Sequence, residues 1–428
     1  MNNTKYILDI LKHNNVFLTG GAGVGKSYTI EKIIESQQFK SVVLASTALA
    51  AINIGGDTVH RFFKFRLAKN INELRTSKDD LYNLHKVLSS INLIIIDEIS
   101  MISAELFEMI ALRLLGYSHI KLLLVGDFYQ LEPVNANGSY AFTTPAWEKF
   151  NFKVLELKVQ HRLDDNEFYR HLKNIRLGNI TNDCIKYFRN FITNDSINNY
   201  DDYTIICGTN AEAKNINIEK LRAIDYPKII YERKIKFNKD LNKEEENDLN
   251  IWLKSLPIED EFIFKKSAKV IFTHNAENYY NGMQGEIIDY NLEEQELRIK
   301  SNSFIYNIKP KEFYYFSNPQ IAAIYRVNPS EVTQNPDVVV TAFPLKLSYA
   351  ITIHKSQGMG IEKLVCKCDK IFAQGQLYVA LSRSANPDKF KIIFDGNERQ
   401  FTNLFYQKAS TNNIVNTFYD NCNKEVIE

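Results

Sequence analysis

The sequence predicts an α/β protein built on parallel sheets. Three observations carry that reading. Val16–Leu18 is a short apolar run that opens into a glycine-rich turn and then a helix-like segment with Ile30, Ile33 and Ile34. Two further apolar runs, INLIIID ending at Asp97 and KLLLVGD ending at Asp127, place carboxylates directly after buried strands. Strand-then-helix order resumes at Tyr203–Cys207 followed by Thr209–Leu221 and returns from Val338 onward.

The turn after the first strand fits G-x-x-x-x-G-K-[ST], with Gly20, Gly25, Lys26 and Ser27 at the fixed positions. Residues without Cβ atoms let successive backbone N–H groups converge on one anion. Lys26 adds a point charge for the outer phosphates, the Ser27 hydroxyl can ligate Mg²⁺, and the following helix aims its positive end at the same place. The stretch Gly20, Gly21, Ala22, Gly23, Val24, Gly25, Lys26, Ser27 and Tyr28 is therefore expected to bind a nucleotide, ATP with Mg²⁺. At the first of the two carboxylate-ended strands, Asp97 suits a water-mediated hold on Mg²⁺, and Glu98 suits positioning or deprotonating the attacking water. Gln130, just past the strand that runs to Asp127, is placed to sense a γ-phosphate.

Bulk properties bound the rest. The chain has 428 residues, 45% hydrophobic and 24% charged, as in ordinary globular proteins of two to four domains. No apolar run reaches the length of a membrane span, and the first strand, starting by Val16, leaves no leader expected before it. Five cysteines without a C-x-x-C pair argue against a structural zinc site or a disulfide framework. The net charge is +1, so any nucleic-acid footprint must come from local patches. One such patch is Val59–Lys69, which interleaves His60, Arg61, Lys64, Arg66 and Lys69 with Phe62, Phe63 and Phe65. Cations for phosphates and rings for bases suit a single-strand groove. The same pattern fits an amphipathic helix with its phenylalanines in the core and its cations in water.

Taken in order, residues 5–13 read as a short helix with Ile7, Leu8, Ile10 and Leu11 on its apolar side. Ser41–Ala45 is a second buried strand, and Glu167–Leu177 a helix of mixed polarity. From about Tyr226 charged and polar residues dominate, and Lys239–Asn250 reads as a solvated helix or loop. Strand-like pieces follow at Ala268–Thr273, Gly285–Tyr290, Leu297–Lys300 and Ser303–Ile308, with Asn281-Gly282 as a hairpin signal. Gln376–Arg383 and the strand Phe390–Phe394 continue the α/β pattern. Beyond Arg399 the chain reads as helical without a visible task.

The ordered blocks GGAGVGKS, ASTALAAINIGGDTVHRFF, IIIDEISMIS, LLLVGDFYQLEPV, VQHRL, CGTNAEAKNINIEKL, LKLSYAITIHKSQGMGIE and YVALSR resemble superfamily 1, class B DNA helicases, most closely the Pif family, with RecD-like and Dda-like relatives. The resemblance implies two RecA-like domains with ATP between them. The first spans 1–158 with a short insertion at about 61–90. The second spans 159–225 and 338–400, with a β-rich, SH3-like insertion at 226–337 and a tail at 401–428. It implies arginine fingers at Arg162 and Arg383 and a nucleotide contact at Gly358. Single-strand contacts are implied at Thr47, His60, Arg61, Phe62 and Phe128 on one side and at Thr352, His354, Lys355 and Gln357 on the other. It also implies 5′ to 3′ translocation on single-stranded DNA and the unwinding of forked or partial-duplex DNA in replication, recombination or repair.

The place would be cytoplasmic in a bacterial or phage setting, and nuclear or mitochondrial in a eukaryotic one. Three positions depart from the family pattern. Asn3 stands near the place of the adenine-reading Gln, Glu132 replaces the first Pro of the Gln-Leu-Pro-Pro turn, and STALAA replaces Pro-Thr-Gly. The alternatives are a DNA- or RNA-stimulated NTPase acting as clamp or remodeller, a structural role for His354, and a surface ion pair for Arg162.

Overall fold

The computed structural model describes residues 3–427 apart from 47–50, 52–55, 66–67, 75, 134–138, 160–165, 275, 277, 280–282, 302, 319–320, 322–331 and 410. The chain forms two compact units, Met1–Ala213 with Ile351–Glu428, and Lys214–Ala350.

The first unit holds two sheets. The larger has strands β1 (Val16–Gly20), β2 (Ser41–Ala45), β3 (Asp57–Thr58), β4 (Leu93–Asp97), β5 (Lys121–Val125) and β6 (Lys153–Leu157), joined by Lys424–Ile427. Their order is Lys424–Ile427, β6, β1, β5, β4, β2, β3, and every pairing is parallel. Alternation along the strands explains why near-continuous apolar runs were needed. Phe17, Ile94, Ile96, Leu122 and Leu124 enter one core, while Val16, Leu18, Leu93, Ile95, Leu123 and Val125 enter another on the opposite face. Helices α1 (Asn3–Leu11) and α2 (Lys26–Glu35) cover the second face. On α1 the buried residues are Ile7, Leu8, Ile10 and Leu11, the stripe that its spacing predicts.

The smaller sheet comprises β7 (Thr204–Cys207), β8 (Ala350–Thr352), β9 (Leu364–Lys367) and β10 (Phe390–Ile393), in the order β8-β7-β9-β10. Helices α3 (Asn166–Arg176) and α4 (Gln376–Ser382) pack on it around Phe168, Leu172, Ile175, Leu377 and Tyr378. Ala22 and Leu131, from the phosphate-binding turn and the loop after β5, belong to this same apolar cluster. The two α/β layers therefore meet where the nucleotide motifs lie.

The segment beyond Arg399, which carries no visible task in the sequence, forms helices Glu398–Lys408 and α5 (Asn413–Asn421) and then the edge strand of the larger sheet.

The second unit is β-rich and antiparallel. Its five-stranded sheet runs in the order Phe304–Ile308, Glu296–Ser301, Gln284–Asn291, Lys269–Phe272, Leu345–Leu347. Val338–Ala342, expected in the returning α/β layer, pairs antiparallel with Lys311–Tyr315 and Lys234–Phe237 in this unit instead. Its alternating buried and half-buried positions suit a sheet with one covered face. The polar stretch from Lys239 holds a helix, Lys243–Ser255, opened by a capping box between Asn242 and Glu245. The Asn281-Gly282 turn lies outside the described residues. Among the described residues no helix is long and apolar enough to cross a membrane.

Candidate active site

The phosphate-binding turn is shaped by glycine where the backbone leaves no choice. At Gly20 a Cβ would sit 2.5 Å from the Leu157 carbonyl oxygen, on the neighbouring strand. Gly25 takes φ 88° and caps α2. The Lys26 ammonium donates to the carbonyl oxygens of Gly20 and Gly21, both at 2.7 Å, which draws it into the turn. Burial lowers its pKa, and the charges of Asp127 and Glu98 oppose that shift. Ser27 is exposed at the start of α2, whose first turn holds no acidic residue to oppose the helix field.

β4 delivers Asp97 and Glu98 to this end of the sheet, each 7% exposed. Burial pushes the Asp97 carboxyl up to about 7, and the adjacent Glu98 charge adds to the effect. Glu98 has φ 51° and ψ 48°, a left-handed backbone that costs free energy for a residue with a side chain. In that conformation its own N–H donates to Asp97 Oδ1 at 2.8 Å. Its Oε2 accepts from Gln357 Nε2 at 2.9 Å. Asp97 and Ser27 offer one carboxylate and one hydroxyl. Such a sparse oxygen set suits Mg²⁺ completed by substrate phosphates and water.

The loop after β5 is gripped from several sides. Gln130 N donates to the Asp127 carbonyl at 2.9 Å, and Tyr129 N to Asp127 Oδ1 at 3.2 Å. The fully buried Asp127 carboxylate receives Arg176 of α3 through two bonds, 2.8 and 2.9 Å. Burial acts to lower the Arg176 pKa, but the charge and hydrogen bonds of Asp127 outweigh it and raise it. Tyr378 of α4 accepts the Ala22 backbone N–H at 2.8 Å. The Tyr419 hydroxyl of α5 lies 2.9 Å from Thr19 Oγ1 and accepts Phe128 N–H at 3.1 Å. Gln130 Oε1 and Gln357 Oε1 are buried without a hydrogen-bond partner among the described residues.

The predicted residues divide accordingly. Lys26 of the turn, Asp97, Glu98, Gln357 and Gly358 share one neighbourhood; a Cβ at Gly358 would lie 3.6 Å from Glu98 Oε1. Gln130 lies three residues past Asp127, with its carbonyl oxygen against Gly375. Asn3 opens α1, half-buried, and Tyr28 points outward. Arg383 is buried, and its guanidinium donates to the carbonyl oxygens of Val379, Ser356 and Met359 and to Ser382 Oγ, all from its own layer. Thr47 and Arg162 lie outside the described residues, as does Arg66 of the basic-aromatic stretch.

One single-strand expectation is corrected. Phe128 is 2% exposed and packs among Phe17, Phe142, Trp147 and Phe418, so its ring has no face for a base. Gln357 is buried, as Thr352 is, and its amide donates to Glu98 Oε2. In the basic-aromatic stretch, Phe63 and Phe65 are core residues, with rings stacked 5.5 Å apart, whereas Phe62 is half-buried. Arg61 is exposed and pairs with Asp57 at 3.5 Å. His60 and His354 are half-buried, and burial lowers both pKa values. Lys355 is exposed and Thr352 is buried in β8.

Sequence reasoning missed Arg176, Tyr378 and Tyr419. Asp127 carried the signal that marked Asp97, a carboxylate ending a buried strand. Tyr378 stood inside the YVALSR tract. Arg176 looked like any arginine in a last helical turn, and Tyr419 lies 400 positions from Thr19 in the chain.

The family model described as PIF1-like helicase matches residues 6–184. The chain is 42% identical over 408 residues to the ATP-dependent DNA helicase Pif1 of Campylobacter jejuni, covering 90% of this chain and 89% of that one. It is 32% identical over 395 residues to the protein of the same name from Bdellovibrio bacteriovorus, covering 88% and 83%. Among solved structures, the Pif1 helicase from Candida albicans superposes with a TM-score of 0.80 at 24% identity, covering 98% of this chain and 99% of that one. Bacteroides Pif1 bound to single-stranded DNA does so with a TM-score of 0.77 at 24% identity, covering 98% and 96%.

Proposed function

The chain belongs to the PIF1-like helicase family, and from that premise we propose that it couples ATP hydrolysis to 5′ to 3′ movement along single-stranded DNA and thereby separates duplex. It is an ATP-dependent DNA helicase, as its relatives are named. The direction, the preference for forked or partial-duplex DNA and the single-residue roles are the proposed part.

Lys26 and the backbone N–H groups of Gly23 to Ser27 bind the phosphates. Ser27 and Asp97 would hold Mg²⁺, which when bound neutralises charge developing on the phosphates. Glu98 orients or deprotonates the attacking water, and Gln130 senses the γ-phosphate. Arg162 and Arg383 are the arginine fingers. Arg383 would have to exchange its carbonyl partners for phosphate oxygens to act, a change that domain closure can supply. Thr47, His60, Arg61, Phe62, Thr352, His354 and Lys355 form the single-strand contacts. The five-stranded antiparallel sheet of the second unit supports reading it as the SH3-like insertion.

The observation that carries the reading is the Gln357–Glu98 hydrogen bond. It joins the hydrolytic carboxylate to the HKSQG tract, so the residues that would grip DNA and the residue that would activate water share one connected segment. The test is ATP turnover with single-stranded DNA, with RNA and with neither, together with strand separation on partial duplexes carrying a 5′ or a 3′ tail. DNA-stimulated turnover and unwinding from the 5′ tail are expected. Turnover indifferent to DNA overturns the coupling, unwinding only from a 3′ tail overturns the direction, and stimulation without strand separation supports the clamp reading instead.

A further inference from the structure

Arg176 is the last residue of α3, a helix whose apolar side, Phe168, Leu172 and Ile175, is anchored in the core of the second α/β layer. Its side chain leaves that core and grips Asp127, in the loop of the first layer that carries Gln130. The two parallel bonds fix the plane of the carboxylate as well as its position. Asp127 passes that constraint on: its Oδ1 also accepts Tyr129 N–H, and its carbonyl oxygen accepts Gln130 N–H. The guanidinium lies over the Tyr129 ring, 4.8 Å from its centroid, and Tyr129 stacks on Tyr419 at 4.8 Å and 16°. A Cβ at Gly21 would come within 3.8 Å of Arg176 Cδ, so the same arginine also borders the phosphate-binding turn. On the far side of the loop, Gly375, at the start of α4, sits so close to the Gln130 carbonyl oxygen that a Cβ would be 2.5 Å from it.

We propose that Arg176 is a positioning residue for ATP hydrolysis: by chelating Asp127 it holds the Gln130 loop in its working conformation, so that the loop is set only while the second α/β layer is docked on the first. The proposal rests on Gln130 being the γ-phosphate sensor. Arg176 itself touches no reacting atom in this role. Its geometry requires arginine, because a lysine is a point charge and cannot hold both carboxylate oxygens in one plane.

The experiment measures kcat for ATP at saturating oligo(dT), affinity for a fluorescent ATP analogue, and the thermal unfolding midpoint. The variants are R176Q, the neutral pair D127N/R176Q, and Q130A. R176Q leaves a buried carboxylate unpaired and can fail on stability alone, whereas the neutral pair buries no unpaired charge and keeps its fold. Both are expected to lower kcat by about a hundredfold, the scale of a small misplacement at a reacting centre. Nucleotide affinity should stay within a few-fold in the neutral pair. A purely structural ion pair predicts the opposite, with kcat returning to the parental value as the unfolding midpoint does. Parental kcat in the neutral pair, or an affinity loss as large as the kcat loss, overturns the proposal. Q130A separates the two assignments. Parental turnover in Q130A removes the sensor assignment and this proposal with it. Slow turnover in Q130A with parental kcat in the neutral pair removes the role of Arg176 alone.

Discussion

Gln357 Nε2 lies 2.9 Å from Glu98 Oε2, across 259 positions of sequence, and both side chains are buried. A carboxylate that accepts one amide N–H among the described residues retains lone pairs for a water molecule, and that bond helps to aim it. Gln357→Ala should therefore leave ATP binding within a few-fold and lower kcat by roughly ten- to a hundredfold. Equilibrium nucleotide binding and steady-state turnover on the same preparation check it; an equal loss in both would make Gln357 a ground-state contact.

Lys26→Ala should abolish ATP turnover while the fold survives. Among the described residues the ammonium donates to the Gly20 and Gly21 carbonyl oxygens of the turn, and the helix beyond it is packed through Ile30 and Ile33. Circular dichroism should match the parent, and turnover at the parental rate by a folded variant would contradict the phosphate role.

Glu98→Gln should keep ATP and DNA binding but cut hydrolysis by at least about a hundredfold, the scale for losing a general base or water-positioning group. Its left-handed backbone does not depend on the carboxylate, since the bond that accompanies it runs from Glu98 N–H to Asp97. Collapse of nucleotide binding would show a structural residue instead.

The paired variants Phe62→Ala and Phe63→Ala divide the basic-aromatic stretch. Phe63 is fully buried, so its truncation should cost about 3–5 kcal/mol of stability. Phe62 is half-buried, and if it stacks on a base its loss should weaken single-strand binding by about five- to a hundredfold. DNA titration and chemical denaturation of both variants decide; unchanged DNA affinity in Phe62→Ala makes the whole aromatic row core.

Tyr419→Phe removes one hydroxyl that serves both Thr19 Oγ1 and Phe128 N–H. Leaving that buried N–H unpaired should cost about 1–3 kcal/mol. Urea denaturation measures it, and an unchanged midpoint would mean that a water molecule replaces the hydroxyl.

What was legible in the sequence follows from range. Val16–Leu18, Ser41–Ala45 and the run to Asp97 read correctly because a parallel strand buried on both faces must be apolar almost throughout. That Lys26, Asp97 and Glu98 come together was legible because glycine spacing and strand-end carboxylates are local signals. Phe128 was misplaced because an aromatic just past a strand end reads alike whether it turns inward or outward. Val338–Ala342 has the apolar texture of a parallel strand, yet its partners Lys311–Tyr315 and Lys234–Phe237 make it antiparallel. Arg176 and Tyr419 owe their roles to contacts across long stretches of chain, for which no periodicity exists.

The strand Lys424–Ile427 has a consequence for how the protein is made. It is the only described neighbour of β6 on the side away from β1. During synthesis β6 leaves the ribosome about 270 residues before that neighbour exists, a wait of roughly 15–50 s at typical elongation rates. Until then the ATP-binding half of the motor carries an open sheet edge, with Val154 and Leu155 beside unpaired amides. A fragment ended anywhere before Lys424 would keep that edge for good, and should be more prone to associate than the full chain.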